Sequence, residues 1–469
     1  MPQDTAHHPE PAAGAPVPAA DSGLGMPTDR VGVAGVRPQS GVAAVAFDGR
    51  SPEAAGRGEV TGDLADDGLA RAEMPGHNGT PAARTAGVTG DPGLRSVAAA
   101  NDRHWSGMDD EAAAVSSAGD SEIEGVSSVV DRERLRHHGD AEARPGMVDF
   151  AVNVQGDAPP EWLRERLARR LGDLGRYPDA GEELAVRELV AARHGRRAEE
   201  VLLLAGVAEG FAMLPRLGAK LAAVIHPSFT EPELALREGG VPVARVVLEP
   251  PYLLDAGLVP EDADLVVVGN PTNPTSVLHP AESLLALRRP GRLVVVDEAF
   301  TDAVVGEPET LAGKDFEDLL VFRSLTKTWA LAGLRCGYAL GAPEVLARLN
   351  HGRPHWPLST LQLEAIAATA EPRAVAEAQR KAEVIAAHRD AMIPRLRELG
   401  IEVHEPAAGP YLWIRVPDAE LLRKRLADKG IAVRRGDTFP GADPGHLRLA
   451  VREPARVDLL VAAIREVGL

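Results

Sequence analysis

The chain has 469 residues, a net charge of −18 and one cysteine, Cys336. Its length allows two or three domains, and a single cysteine excludes an intrachain disulfide. The acidic balance argues against a nucleic-acid-binding domain, which is ordinarily basic, and no apolar run has the length of a membrane-spanning helix. Met1–Glu10 lacks a basic start followed by an apolar stretch, so no secretion signal is expected and a cytoplasmic location is.

Residues 1–130 hold 8 Arg, no Lys and 19 acidic residues, a net −11 that leaves −7 for the rest. They are rich in Ala, Gly, Pro, Asp and Ser and nearly free of aromatics. Such a segment buries too little surface to offset its ordering entropy and is expected to be disordered. Two weak helical patches fall at 64–72 and 109–115. Order is expected from about Asp131, in an arm and small-domain segment over 131–180.

Pro159 to Leu174 reads as an amphipathic helix with Pro near its start. Glu182 to His194 reads as a second helix, stopped by Gly195. Over 181–345 the pattern alternates. Short apolar strands are expected at 201–204, 221–225, 243–248, 264–268, 292–296, 319–322 and 337–340, with helices between most of them. This is the signature of an α/β fold with a mostly parallel sheet covered on both faces, whose ligands bind beyond the carboxyl ends of the strands. Over 346–469 the texture changes to a smaller α+β domain. Its helical stretch at 361–399 is expected to break near Pro372 and Pro394, and a strand is expected at 432–434.

The informative polar groups follow strand ends. Lys327 lies in a loop between two core strands, where an unpaired lysine is unusual; one chemistry that uses it is a Schiff base with pyridoxal phosphate (PLP). Ser324 and Arg335 flank it and suit a phosphate. The helix start at Gly206–Glu209 offers N–H groups to the same end. Asp297 suits a pyridine nitrogen and Asn273 the phenolic oxygen of the ring, while Phe229 suits the ring face. Arg434 and Arg448, in or beside small-domain strands, suit a carboxylate or phosphate. Taken singly, each has an ordinary alternative: a helix-capping Asp, a turn Asn, a core aromatic, a surface ion pair. Cys336 reads as a small buried apolar residue.

From about His137 onward the chain resembles the fold-type I PLP enzymes of the class I/II aminotransferase family. The residues that carry the likeness are Asn270-Pro271-Thr272-Asn273-Pro274-Thr275, Asp297-Glu298-Ala299-Phe300, and Arg323-Ser324-Leu325-Thr326-Lys327 with Arg335. Within the family the chain looks most like the threonine-phosphate decarboxylases of cobalamin biosynthesis, with the histidinol-phosphate aminotransferases as close kin. The decarboxylase likeness rests on His138-Gly139-Asp140, Phe300 and the stretch from Val433 to Gly441 before Leu447–Arg452.

The resemblance implies that Lys327 carries the cofactor, Asp297 and Asn273 hold its ring, and Phe229 stacks on it. Val207, Ala208, Ser324 and Arg335 would hold its phosphate, and Arg434 and Arg448 the substrate's anionic groups. Tyr177 would reach the phosphate in a partner subunit, which implies a homodimer with shared sites. The expected substrate is an amino acid, phosphorylated because two arginines converge. Decarboxylation is the first expectation and transamination the alternative; a non-catalytic PLP-binding regulator is a remote one. Four positions depart from the family pattern: Phe300 for Tyr, Ser276 for Gly, Ala205 for Asn, and a loop at 355–359 without its Asn.

Overall fold

The computed structural model describes residues 129–469. The expected tail, with its patches at 64–72 and 109–115, lies outside the described residues except for its last two positions. A short strand, β1 (Val148–Asp149), comes first. Then follow β2 (Val201–Leu204), β3 (Ala222–His226), β4 (Val243–Val247), β5 (Leu265–Gly269), β6 (Leu293–Asp297), β7 (Leu319–Ser324) and β8 (Gly337–Gly341). β2 to β8 form one seven-stranded sheet in the order β2-β8-β7-β6-β5-β3-β4.

The sheet is mostly parallel, as expected: β3 pairs in parallel with β4 and β5, and β6 with β5 and β7. β8 runs antiparallel to both of its neighbours. The physical reason is the connection. Residues 325–336, between β7 and β8, contain no α-helix, and a parallel return needs a crossover, usually helical. The lysine loop is therefore a reversal of the chain at the sheet's carboxyl edge.

Alternation along each strand fills both faces. Val201, Leu203, Val294, Val296, Leu319, Val321 and Tyr338 belong to one buried cluster. Leu202, Leu204, Val295, Leu320, Phe322 and Ala339 belong to the other. That is why these strands read as continuous apolar runs and not as alternating ones.

The second part adds β9 (Glu402–Val403), β10 (Tyr411–Arg415), β11 (Ile431–Ala432), β12 (Arg434–Arg435) and β13 (His446–Ala450). A four-stranded antiparallel sheet has the order β12-β13-β10-β9. The strand expected at 432–434 is two strands, because the chain changes partner there: β11 pairs with β1 and β12 with β13. The helical stretch breaks at Pro372, the first residue of the helix Pro372–Arg397, but Pro394 sits inside that helix. Its missing N–H costs one bond near the helix end, where the loss is small. The early residues Ala374 and Ala378 pack into the large-sheet core, and Ile385, Met392 and Leu396 into the small-sheet core. The helix itself, and not residue 346, is where one core gives way to the other.

On the first face a charged cluster replaces apolar packing near the carboxyl edge. Arg323 is 2% exposed, and its guanidinium meets Glu298 at 3.0 Å, Glu307 at 2.8 Å, and Asp302. Arg193, on the helix Ala180–His194, reaches the same Asp302 at 2.8 Å. Burial alone would raise the Asp302 carboxyl, but Arg193 and Arg323 hold it at about 2. His194 meets the Tyr338 hydroxyl at 2.9 Å. Removing one partner of a buried ion cluster strands the others. Arg323→Met is therefore expected to lose about 3–5 kcal/mol of stability, read as a lower midpoint in chemical denaturation. A midpoint within error of the parent's would show the cluster to be energetically neutral.

Candidate active site

The carboxyl ends of the parallel strands meet on one edge, above the second buried face. Asp297 closes β6 and Ser324 closes β7, with Lys327 three residues on. Asn273 lies four residues beyond β5, Phe229 three beyond β3, and Val207 opens the helix Val207–Met213 after β2. A cavity of about 480 Å³ sits here. It is lined by Lys327, Asp297, Asn273, Val207, Ala208, Phe229, Ser324, Arg335, Arg434 and Arg448. Tyr177 does not line it. Its ring is 72% exposed and stacks on Trp356 with centroids 4.4 Å apart.

Lys327 is half-buried, and its backbone carbonyl accepts from the Gln155 N–H at 2.9 Å. Burial, with Arg448 and Arg335 adding, lowers its ammonium to about 8. A useful fraction of the amine is then uncharged near neutral pH, which is what a nucleophile or base needs. Asp297 shifts the other way. Burial, reinforced by the neighbouring Glu298, raises its carboxyl to about 7, against one N–H donated by Ala299 at 3.1 Å. A carboxylate in that state is poised to meet a cationic partner.

The turn after β5 is held from several sides. The Asn270 side chain accepts from the His279 N–H at 2.7 Å and donates to the His279 carbonyl at 3.1 Å. Asn273 Oδ1 accepts from Arg448 Nη1 at 2.7 Å, which commits that oxygen and sets the amide's orientation. Ser276, one of the departures, is fully buried with φ 68°. Its Oγ accepts from the Gly409 N–H at 2.9 Å and its carbonyl from Ala408 at 2.8 Å. A serine here fastens the turn to the loop before β10, a bond that a glycine side chain has no atom to make. Phe300, another departure, packs edge-on against Tyr411 at 4.9 Å. In the loop at 355–359, Ser359 caps the helix Thr360–Ala370.

Gly206 has φ +82°, and a Cβ there would lie 3.0 Å from Arg335 Nη2. Only glycine lets this guanidinium lie against the helix start. With the Ser324 hydroxyl, this corner offers a cation, a hydroxyl and backbone N–H groups, the donor set a phosphate takes.

Arg434 and Arg448 are 2% and 5% exposed. Arg434 donates to the His137 carbonyl at 2.7 Å and the Thr438 hydroxyl at 2.6 Å, with its guanidinium 4.8 Å from the Phe439 ring centroid. Arg448 donates to Asn273 and to the Ala151 carbonyl, and its Nε is buried without a partner. Among the described residues no carboxylate lies within 4.0 Å of either; the nearby Asp437 pairs with Arg435 instead, at 2.5 Å. Burial depresses the proton affinity of both guanidiniums. Two buried cations with no carboxylate in direct contact among the described residues suit an anion.

The sequence reasoning missed Asn153 as a site residue. It is 3% exposed, lines the cavity, and both its amide atoms lack partners. The usable signal was a polar residue ending the short apolar run at 150–152. His138, named in the sequence only for the family likeness and given no site role, also lines the cavity, meets Glu231 at 2.5 Å and lies 5.3 Å from the Phe229 ring. An amine, a carboxyl, an amide and a phosphate corner around one cavity fit a pyridine aldehyde with a phosphate arm; the paired arginines remain for a second anion.

Residues 145–464 match the family described as aminotransferase class I and II. A histidinol-phosphate aminotransferase of Mycobacterium tuberculosis is 57% identical over 331 residues, which are 71% of this chain and 90% of that relative. A threonine-phosphate decarboxylase of Salmonella typhimurium is 28% identical over 345 residues, 68% of this chain and 91% of that one. Among solved structures, the histidinol-phosphate aminotransferase from Clostridium acetobutylicum superposes with a TM-score of 0.63 at 23% identity, covering 68% of this chain and 98% of its own. Aspartate aminotransferase from Thermus thermophilus gives 0.62 at 21% identity, covering 75% and 100%.

The raised Asp297 carboxyl has a cost in the cofactor-free protein. Between its ordinary value of 3.8 and about 7 the folded state binds the extra proton. Stability therefore falls as pH rises through that window, and the full penalty stands above it. Cofactor-free Asp297→Asn is expected to melt about 2–6 °C above the parent at pH 8, with the gain vanishing near pH 4. A thermal melt series across that range checks it; an equal gain at both ends would assign the effect to packing and not to charge.

Proposed function

From membership of the class I and II aminotransferase family, to which this chain belongs and whose chemistry depends on PLP, we propose that the protein is an aminotransferase acting on a phosphate-bearing amine of the histidinol phosphate type. The observation that carries this reading is the pair Arg434 and Arg448, buried beside Lys327 and Asp297 with no carboxylate partner. The relative at 57% identity supports transamination over the decarboxylation expected from the sequence. A keto acid such as 2-oxoglutarate, with two carboxylates, suits the same two guanidiniums in the second half of the reaction.

In this reading Lys327 carries the cofactor, Asp297 faces its pyridine nitrogen and Asn273 its ring oxygen. Phe229 covers the ring, and Val207, Ala208, Ser324 and Arg335 hold its phosphate. When bound, PLP supplies the aldehyde that takes up the substrate amine and a ring that accepts the electron pair left at the substrate α-carbon. Asp297, ionised, keeps a proton on the ring nitrogen. Lys327 Nζ, lowered to about 8, takes the α-proton. Arg434 and Arg448 hold the phosphate monoester at one end of the donor, while its amine is held at the Lys327 end. This two-point hold sets which bond at the α-carbon faces the base.

Decarboxylation of a phosphorylated amino acid is the second reading. Phe300 favours it, because no hydroxyl stands at that position, and so does the likeness to the Salmonella typhimurium decarboxylase. Such a substrate presents a phosphate and a carboxylate, one for each arginine.

We also propose a homodimer with shared sites. Tyr177, stacked on the exposed Trp356, lies outside its own cavity, and Leu171 and Leu174 beside it are more than half exposed. A second copy placed on this patch would bring Tyr177 to the partner's cofactor phosphate.

Glutamate is expected when purified protein meets histidinol phosphate and 2-oxoglutarate, without CO2 from O-phosphothreonine; CO2 without glutamate would reverse the two readings. Lys327→Ala is expected to be silent in both assays and to lack the visible absorbance of the bound cofactor. Tyr177→Phe is expected to stay dimeric by light scattering and to bind PLP about tenfold more weakly, the worth of one charge-assisted hydrogen bond. An unchanged affinity would remove Tyr177 from the site.

A further inference from the structure

Arg434 lies on β12, and the turn that runs on from it packs against one large side chain, Trp413. From β12 the chain passes through Gly436 and Thr438 to Phe439. A Cβ on Gly436 would lie 2.6 Å from Trp413 Cη2 and 2.5 Å from the His446 carbonyl. The backbone of the turn therefore rests directly on the Trp413 indole. Phe439 meets the same indole edge-on, with centroids 5.9 Å apart and planes at 86°. The Arg434 guanidinium sits 4.8 Å from the Phe439 ring centroid. Arg434 is also held by the Thr438 hydroxyl and the His137 and Arg435 carbonyls, and the Gly436 N–H donates to the His446 carbonyl at 3.0 Å, so the indole supports the turn together with the β13 backbone.

Trp413 is itself locked. It is fully buried on β10. The His446 ring lies parallel to it, 4.7 Å away at 7°. Its Nε1 donates to the Tyr252 hydroxyl at 3.3 Å. His446 is held in turn by Asp443, 3.0 Å from its Nδ1, and by His404, 3.0 Å from its Nε2. None of these groups lines the cavity. Trp413 is also the cross-strand neighbour of Arg448, so one residue underlies both arginines of the anion pair.

We propose that Trp413 is a positioning residue that sets selectivity for the substrate's anionic group by supporting the turn that runs on from Arg434. The inference rests on the reading of Arg434 as the anion's holder. It predicts an effect on discrimination and not on the chemistry at Lys327, because an anion misplaced by about 1 Å loses much of a bidentate contact.

The experiment compares histidinol phosphate with histidinol as amine donors, taking kcat and KM for each, in the PLP-loaded enzyme. Trp413→Leu is expected to raise KM for histidinol phosphate about tenfold, with kcat and the cofactor absorbance near the parent's, so that the preference for the phosphorylated donor falls by the same factor. Trp413→Phe is expected to restore much of it. Gly436→Ala, whose methyl group would press on the same indole and on the His446 carbonyl, should reproduce the loss with Trp413 intact, and it decides the matter if Trp413→Leu fails to fold. A preference within twofold of the parent's in Trp413→Leu, or in Gly436→Ala where the former is unfolded, overturns the proposal. Arg434→Ala separates the two claims. If it leaves the preference intact, the reading of Arg434 fails; if it abolishes the preference while the Trp413 and Gly436 variants keep it, only the positioning role fails.

Discussion

The site depends on a buried guanidinium that touches no ligand. Arg323 and Ser324 are neighbours on β7, and Asp297 and Glu298 are neighbours at the end of β6. Strand alternation sends one member of each pair to each face of the sheet. Arg323 and Glu298 meet on the far side with Asp302 and Arg193. Ser324 and Asp297 are thereby presented to the cavity. A one-residue slip of either strand would send the wrong member of its own pair to the cavity. The ion cluster thus works as a register lock, and the cost of burying its charges is offset only in the correct pairing.

The same edge explains why the charges in the cavity stay unsatisfied. Lys327, Arg448 and Arg434 are gathered with Asp297 around one cavity. Burial moves each toward its neutral form. Such groups are stabilised by what binds between them and not by one another. The fold supplies that arrangement at the expense of its own stability, as binding sites commonly do. The Ser276 bond to the loop before β10 and the Arg448 bond to Asn273 then join the two sheets at the point where the ligand groups converge.

Much of this was legible in the residues. The strand ends were, because a parallel sheet covered on both faces leaves apolar runs that stop where the ligand edge begins, and Asp297, Asn273 and Lys327 each follow such a stop. What was not legible has physical causes. The antiparallel sense of β8 depends on the absence of a crossover helix, which the loop at 325–336 does not announce by composition. Pro394 looks like a helix breaker, but near a helix end it removes only one bond. Asn153 looks like the polar end of a strand until both its amide atoms prove buried and unpartnered.

The sequence by itself determined the local chemistry: which strands are buried, which turns need glycine, and which amine, carboxyl and amide lie at strand ends. These follow from periodicity and side-chain type, which act over a few residues. Only the tertiary structure decided that Arg434 and Arg448 are buried with no carboxylate in direct contact among the described residues, that Tyr177 lies outside its own cavity, and that the turn after Arg434 packs against Trp413. Those facts depend on which distant segments touch, and on the charges and water that such contact excludes. A guanidinium reads the same in a surface ion pair and in an anion site. Packing alone separates the two.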